Sequence, residues 1–167
     1  MTMRRVLAAV GLLALPVLLT GCGIERTEAI DFGLPATGAK RPGERGWSAR
    51  LYFAVANNVV GASRPADGPV SAEDAVKLML QGPNEPERAR QFVSEVMLKS
   101  GVSVTAARGQ VSIQLPLDVS KLTRTARTQL VCTAAHNEVP GASRWQDVKV
   151  TLVGDGKKLP DLVCDRW

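Results

Sequence analysis

The residues of this chain best suited to covalent chemistry are its three cysteines, and their spacing divides them into one and two. Cys22 stands directly behind Leu19-Thr20-Gly21, at the end of an uncharged run from Val6 to Leu19 that follows the basic start Met1-Thr2-Met3-Arg4-Arg5. A helix needs about 20 apolar residues to cross the hydrocarbon core, and Gly11 and Pro16 interrupt even this shorter stretch. The pattern therefore reads as a secretory signal over residues 1–21 rather than as a membrane span or a buried helix. Leu19-Thr20-Gly21-Cys22 resembles a bacterial lipobox, in which small residues fit a signal peptidase and the thiol accepts a diacylglyceryl group. Two or three acyl chains on Cys22 would anchor the chain stably, since each buried methylene contributes about 0.8 kcal/mol and one chain alone is marginal. The expected location is the extracytoplasmic face of the cell membrane, with Cys22 as the tether.

With Cys22 lipidated, Cys132 and Cys164 remain as a pair. An even count outside the cytoplasm favours a disulfide, which would tie the C-terminal tail to the last helix and stabilise the fold by roughly 3 to 4 kcal/mol in the chain-entropy model. The alternative is two buried thiols that never meet.

Acid–base and metal chemistry find little material. His136 is the only histidine, next to Asn137 and Glu138 at an expected helix end, where the macrodipole favours its charged form and a surface cap is the simpler role. No third or fourth ligand has metal-site spacing, and neither a Gly-x-Ser-x-Gly elbow nor a phosphate loop occurs. Glu73 and Asp74 open a helix and are explained by its dipole. Glu85 and Glu87 fall in an expected loop and carry the alternative reading of a carboxylate hydrolase, whose two groups would need to sit ~5 to 9 Å apart. The expectation is a chain without catalytic residues, metal or cofactor.

The formal net charge is +5, and loss of Arg4 and Arg5 with the signal leaves 19 basic against 16 acidic side chains, or +3. That excess is too small and too dispersed for nucleic acid, whose readers show a basic face or stripe. Arg124, Arg127, Lys157 and Lys158 are the candidates for facing an anionic wall polymer, and such binding would fade with rising salt. Trp47, Trp145 and Trp167 are three of only seven aromatic residues, each at the boundary of an element. Trp145 is the candidate anchor for a protein partner, with closure of the ends of a small core as the alternative for all three.

The elements that must position these residues follow from periodicity and punctuation. Residues 22–48 are rich in Gly, Pro, Thr, Ala and charge and read as a linker, which as a flexible coil would hold a domain about 25 to 30 Å from the membrane. The alternating Ile30, Phe32 and Leu34 leave an edge strand open as the alternative. Residues 49–167 read as one domain. Leu51 to Val55 and Val59 to Arg64 form two strands around Ala56-Asn57-Asn58. Ser71 caps a helix with Ala72, Ala75, Val76, Met79 and Leu80 on one side, stopped by Gly82-Pro83. Arg88 to Lys99 carries Phe92, Val93, Val96 and Met97 as a second helical stripe. Val102 to Thr105 and Gln110 to Leu115 alternate as a hairpin. Thr123 to Ala135 is the next helix, its core side marked by Leu122, Ala126, Leu130, Val131 and Ala134, with Arg124 and Arg127 pointing away. Val148 to Val153 is a strand, and Gly154-Asp155-Gly156 turns the chain toward its tail. The predicted class is α+β, a mainly antiparallel sheet with two to three helices packed on one face.

Leu51-Tyr52-Phe53 opening the domain, Leu78-Met79-Leu80-Gln81-Gly82-Pro83 closing a helix, the strand Gly109 to Leu115, Leu130-Val131-Cys132-Thr133 in the following helix, and Val148-Lys149-Val150 running toward Gly156 together resemble a GerMN domain, over about Arg50 to Leu159. The resemblance implies a small extracytoplasmic binding or assembly module, found in sporulation and germination proteins and in secreted lipoproteins, sometimes with envelope complexes or sensor kinases, and without known catalytic residues. The expected partner is an envelope or sensor-type membrane protein, and wall polymer is the alternative.

Overall fold

The computed structural model of the chain describes residues 46–56 and 58–164. The predicted signal with Leu19, Thr20 and Gly21, the tether Cys22, nearly all of the 22–48 linker including Ile30, Phe32 and Leu34, and Trp167 lie outside the described residues.

The first predicted hairpin is present and longer than its alternation suggested. β1 (Trp47–Val55) opens just upstream of the expected boundary at 49 and pairs antiparallel with β2 (Asn58–Ala66) from Trp47↔Ala66 to Val55↔Asn58. β2 runs through Pro65, which a strand with one free edge tolerates because no further neighbour needs its missing N–H. α1 (Ala72–Leu80) forms as its pattern predicts: Ser71 accepts from the Asp74 N–H at 3.1 Å, and the five apolar residues of the stripe are buried.

The second predicted helix, Arg88 to Lys99, is not formed. Asn84 instead caps a short helix, α2 (Glu85–Ala89): its side chain accepts from the Glu87 N–H, Glu87 accepts from the Asn84 N–H, and Pro86 occupies the first turn. That reciprocal box starts the helix upstream of the apolar stripe, so Glu85 and Glu87 belong to a helix rather than to a loop. Gln91 then takes a φ of +62°, and Val93 exchanges two backbone hydrogen bonds with Ala54, at 2.8 and 2.9 Å. A residue pairing with β1 in this way cannot also serve a helix, and the periodic side chains scatter: Val96 is buried, while Val93 and Met97 are 52% and 65% exposed.

A four-stranded sheet of order β3-β4-β5-β6 completes the domain. β3 (Ser103–Ala107) and β4 (Gln110–Gln114) form the predicted hairpin, joined by Arg108 and Gly109 at φ +50° and +75°. Positive φ at both turn residues is the geometry whose twist matches the flanking strands. β5 (Lys149–Gly154) lies parallel to β4 and antiparallel to β6 (Lys157–Leu162), a strand the sequence reading missed. Gly154 is required by close approach: a Cβ there would stand 2.2 Å from the Leu117 carbonyl oxygen.

α3 (Arg124–Ala135) starts at the Thr123 cap and contacts α1, β1, β2 and β5, while α1 contacts β1 and β3. The core between helices and strands includes Leu51, Phe53, Met79, Ile113, Leu130 and Leu152, all fully buried. The fold is therefore α+β with mostly antiparallel strands, the β4–β5 pair excepted. Cys132 in α3 and Cys164 beyond β6 are joined, with 4.7 Å between their Cα atoms and both side chains buried.

Candidate binding site

α3 is buried almost all round, and one of its faces is polar. Gln129, Thr133 and, just past the helix end, Asn137 recur every four residues, so they line one side. Each meets main chain. The Gln129 side chain accepts from the Glu95 N–H and donates to the Val93 carbonyl, both at 3.0 Å. Thr133 Oγ1 accepts from the Tyr52 N–H at 3.0 Å. Asn137 Oδ1 accepts from the Arg50 N–H at 3.0 Å while its Nδ2 donates to the Arg50 carbonyl at 2.7 Å, as a strand neighbour would. The edge of β1 away from β2 is thereby occupied by side chains of α3 and by Val93. The four-residue spacing of polar residues was the only sequence signal for this stripe, and the apolar pattern of the same helix masked it.

The polar stripe delivers the end of α3 to a cluster of rings. His136 lies between Tyr52, at 5.1 Å between ring centroids, and Trp145, at 4.3 Å and nearly parallel. The loop returning from α3 to β5 borders an open trough of about 420 Å³, lined by residues 135–145 and Val148. That loop is fixed at the β3–β4 turn: the Gly109 N–H donates to the Pro140 carbonyl at 2.8 Å, the Lys149 N–H donates to the Gly109 carbonyl at 3.1 Å, and Gly141 at φ +80° lies against Arg108. Arg144 forms a two-point pair with Asp147, whose hydrogen bond and charge raise the guanidinium's pKa; both groups are exposed, so the pair adds little stability. Trp145 is half-buried and packs against the core edge, so it closes the core and presents its remaining surface to the trough. Its volume falls within the range of small-molecule sites, and its lining joins the rings of His136 and Trp145 to the polar residues Asn137, Glu138, Ser143 and Arg144. Such a surface offers ring faces for stacking and polar groups for hydrogen bonding.

The other residues singled out from sequence lie elsewhere. Arg124 and Arg127 occupy the first turn of α3, roughly 17 and 12 Å along the axis from its last residue at 1.5 Å per residue, and Arg127 leans back toward the Thr123 carbonyl at 3.4 Å. Lys157 and Lys158 open β6. The Asp118 carboxyl is held low chiefly by the hydroxyl and N–H of Ser120, and further by Lys121 and Lys157. Trp47 begins β1 and is 53% exposed. Trp145 and the basic candidates of α3 are thus not one patch.

Glu87 is committed to structure. Its carboxylate accepts from Arg64 Nη2 at 2.6 Å, Arg64 Nε at 2.9 Å and the Asn84 N–H at 2.8 Å. Arg64 also donates to the Gly82 carbonyl at 2.9 Å and lies 5.7 Å from the Phe53 ring centre. Burial alone would raise the Glu87 pKa, but the Arg64 and Asn84 donors and the Arg64 charge hold it below the usual carboxylate value. Among the described residues no three His, Cys, Asp or Glu side chains gather as a metal-binding group, and no helix is long and apolar enough to cross a membrane.

The face of the larger sheet turned from the helices is open. Thr105, Ser112, Thr151 and Lys158 line a shallow trough of about 550 Å³ there. No family model, no curated protein and no solved structure matches the chain.

Proposed function

We propose that this protein is a membrane-anchored extracytoplasmic lipoprotein of GerMN-like type whose domain is a non-catalytic binding or assembly module for an envelope or sensor-type membrane protein. The observation that carries the binding reading is the ring stack Tyr52–His136–Trp145 at the rim of the 420 Å³ trough, since a rigid, half-buried tryptophan beside a concavity has the character of an interface anchor. The joined Cys132 and Cys164 support export, because such a link persists in oxidising compartments. The sequence at Leu19-Thr20-Gly21-Cys22 supports the lipid tether.

Crosslinking in intact cells with the native signal retained tests both parts. The expected outcome is reproducible capture of one membrane protein, resistant to high salt and lost in Trp145→Ala, together with fatty-acid labelling lost in Cys22→Ser. Recovery of wall polymer alone, released by salt and reduced by Lys157→Gln with Lys158→Gln, would replace the protein partner with an anionic polymer.

A further inference from the structure

Sheet edges expose rows of N–H and C=O groups that pair with any extended chain, and proteins normally blunt them with charge, proline, bulges or a covering element. Among the described residues the sheet edges are blunted to different degrees, and β3 least of all. β1 is covered on its outer side by Asn137, Thr133 and Val93. β2 carries Gly61, Arg64 and Pro65. β6 carries Lys157, Lys158, Pro160 and Asp161, has a register shift opposite β5, and places Asp161 at φ +54°. β3 is also terminal in its sheet, yet Ser103-Val104-Thr105-Ala106-Ala107 holds no charge, proline or glycine. Among the described residues, β4 is the only hydrogen-bonding neighbour of β3.

Both ends of β3 meet basic side chains. At its N-terminal approach, Lys99 lines a cavity of about 260 Å³ together with Lys77, whose ammonium is paired with Glu73 at 2.7 Å. At its C-terminal end Arg108 forms the turn that fixes the Trp145 loop, so the bare edge leads to the ring-lined trough. The geometry points to β3 as a strand-addition site, at which an extended polypeptide segment of the partner, neutral and β-forming in its middle and acidic at its ends, adds a fifth strand to the sheet and continues toward Trp145. Main-chain hydrogen bonds supply the affinity in this mode and alternate side chains the selectivity. A second copy of this chain is the poorer occupant, since antiparallel β3–β3 pairing would bring its own Lys99 and Arg108 ends against the same basic flanks. The inference rests on the proposed binding role and names the form of the ligand.

The test is selection of random displayed peptides on the full chain in detergent, followed by synthesis of the enriched peptides. Expected are peptides with acidic ends around a β-branched centre that newly protect from hydrogen exchange, within residues 103–107, the alternate amides facing away from β4. N-methylation at alternate peptide residues should weaken binding at least roughly tenfold while methylation at the intervening ones is tolerated. The pair Lys99→Glu with Arg108→Glu should weaken the acidic peptides by a similar factor without lowering the melting temperature. Enriched peptides that protect another surface, or that tolerate N-methylation everywhere, overturn strand addition while leaving a binding module. A selection yielding no peptide also overturns it, and capture of a partner in cells then decides separately whether the binding role survives.

Discussion

β1 and β3 each end a sheet, and the domain treats their outer edges in opposite ways. Along β1 every second residue is met: Arg50 by Asn137, Tyr52 by Thr133, Ala54 by Val93. The match arises because polar side chains four apart on a helix advance about 6 Å, close to the advance of two residues along a strand. A helix with the right polar spacing can therefore stand in for a missing strand. Along β3 the polar residues Ser103 and Thr105 are exposed, and among the described residues nothing bonds to the outer edge. Backbone donors left bare at β3, while others are satisfied by buried Gln129 and Thr133, are what single out that edge for the proposed strand addition.

The largest expected losses fall on the covered side, which depends on β2 being held in place. Arg64→Met should remove about 3 kcal/mol from urea-unfolding stability, because Glu87 is left as a nearly buried, unpaired carboxylate. Its pH signature is specific. The folded pKa of Glu87 lies below the unfolded one, so its contribution is complete above the ordinary glutamate value of about 4.3 and fades as pH falls from there through the folded value. The stability gap between the parent and Glu87→Gln should shrink over that acidic window. A gap that stays constant through it would remove Arg64–Glu87 as the clamp.

Next is Gln129→Leu, which keeps volume but strands the Glu95 N–H and leaves the Val93 carbonyl with the Ala54 N–H as its one donor. A cost of about 2 kcal/mol follows from one stranded donor and one lost acceptor bond, and the segment 91–97 should lose its exchange protection first. Asn137→Ala removes the two-point contact with Arg50 at the more exposed end of the stripe, and about 1 to 2 kcal/mol should go with it. If the two variants cost the same, solvent exposure along the stripe would not matter and the graded picture of the covered edge would fail.

These contacts show what the sequence disclosed and what it withheld. α1, α3 and two hairpins were legible because each is specified locally, by Ser71 as a cap, by apolar spacing, and by turn residues. The helix expected at Arg88–Lys99 was lost to a long-range demand: Ala54 takes the backbone of Val93, and no local pattern reports that. β6 escaped because Lys157-Lys158-Leu159-Pro160-Asp161-Leu162 lacks alternation, for the same charges and proline that blunt its edge. Asp155-Gly156, with φ of +47° and +67°, was nonetheless a hairpin signal that implied a returning strand. At the site, Trp145 was legible by type, and Cys132 with Cys164 by count. The link from Trp145 to His136 and Tyr52 was not, since it joins residues brought together only by folding. Arg124 and Arg127 were grouped with Lys157 and Lys158 by charge, and the fold places the two pairs on different elements, the first turn of α3 and the start of β6.

The finest test compares two threonines. Thr133 is fully buried and accepts from the Tyr52 N–H on the covered edge, whereas Thr105 projects from the bare one into the open trough of the larger sheet. Replacing each by valine keeps shape and removes only the hydroxyl. Thr133→Val strands a main-chain donor and should cost about 1 to 2 kcal/mol, while Thr105→Val, at an exposed strand position that favours β-branched residues, should fall within about 0.5 kcal/mol of the parent. Thermal unfolding of the pair measures the difference directly. Equal costs would mean that the hydroxyl of Thr105 also satisfies something within the fold, and β3 would then be a covered edge like β1. Unequal costs in the stated direction leave the β3 edge with no structural duty of its own, which is the condition an added strand requires.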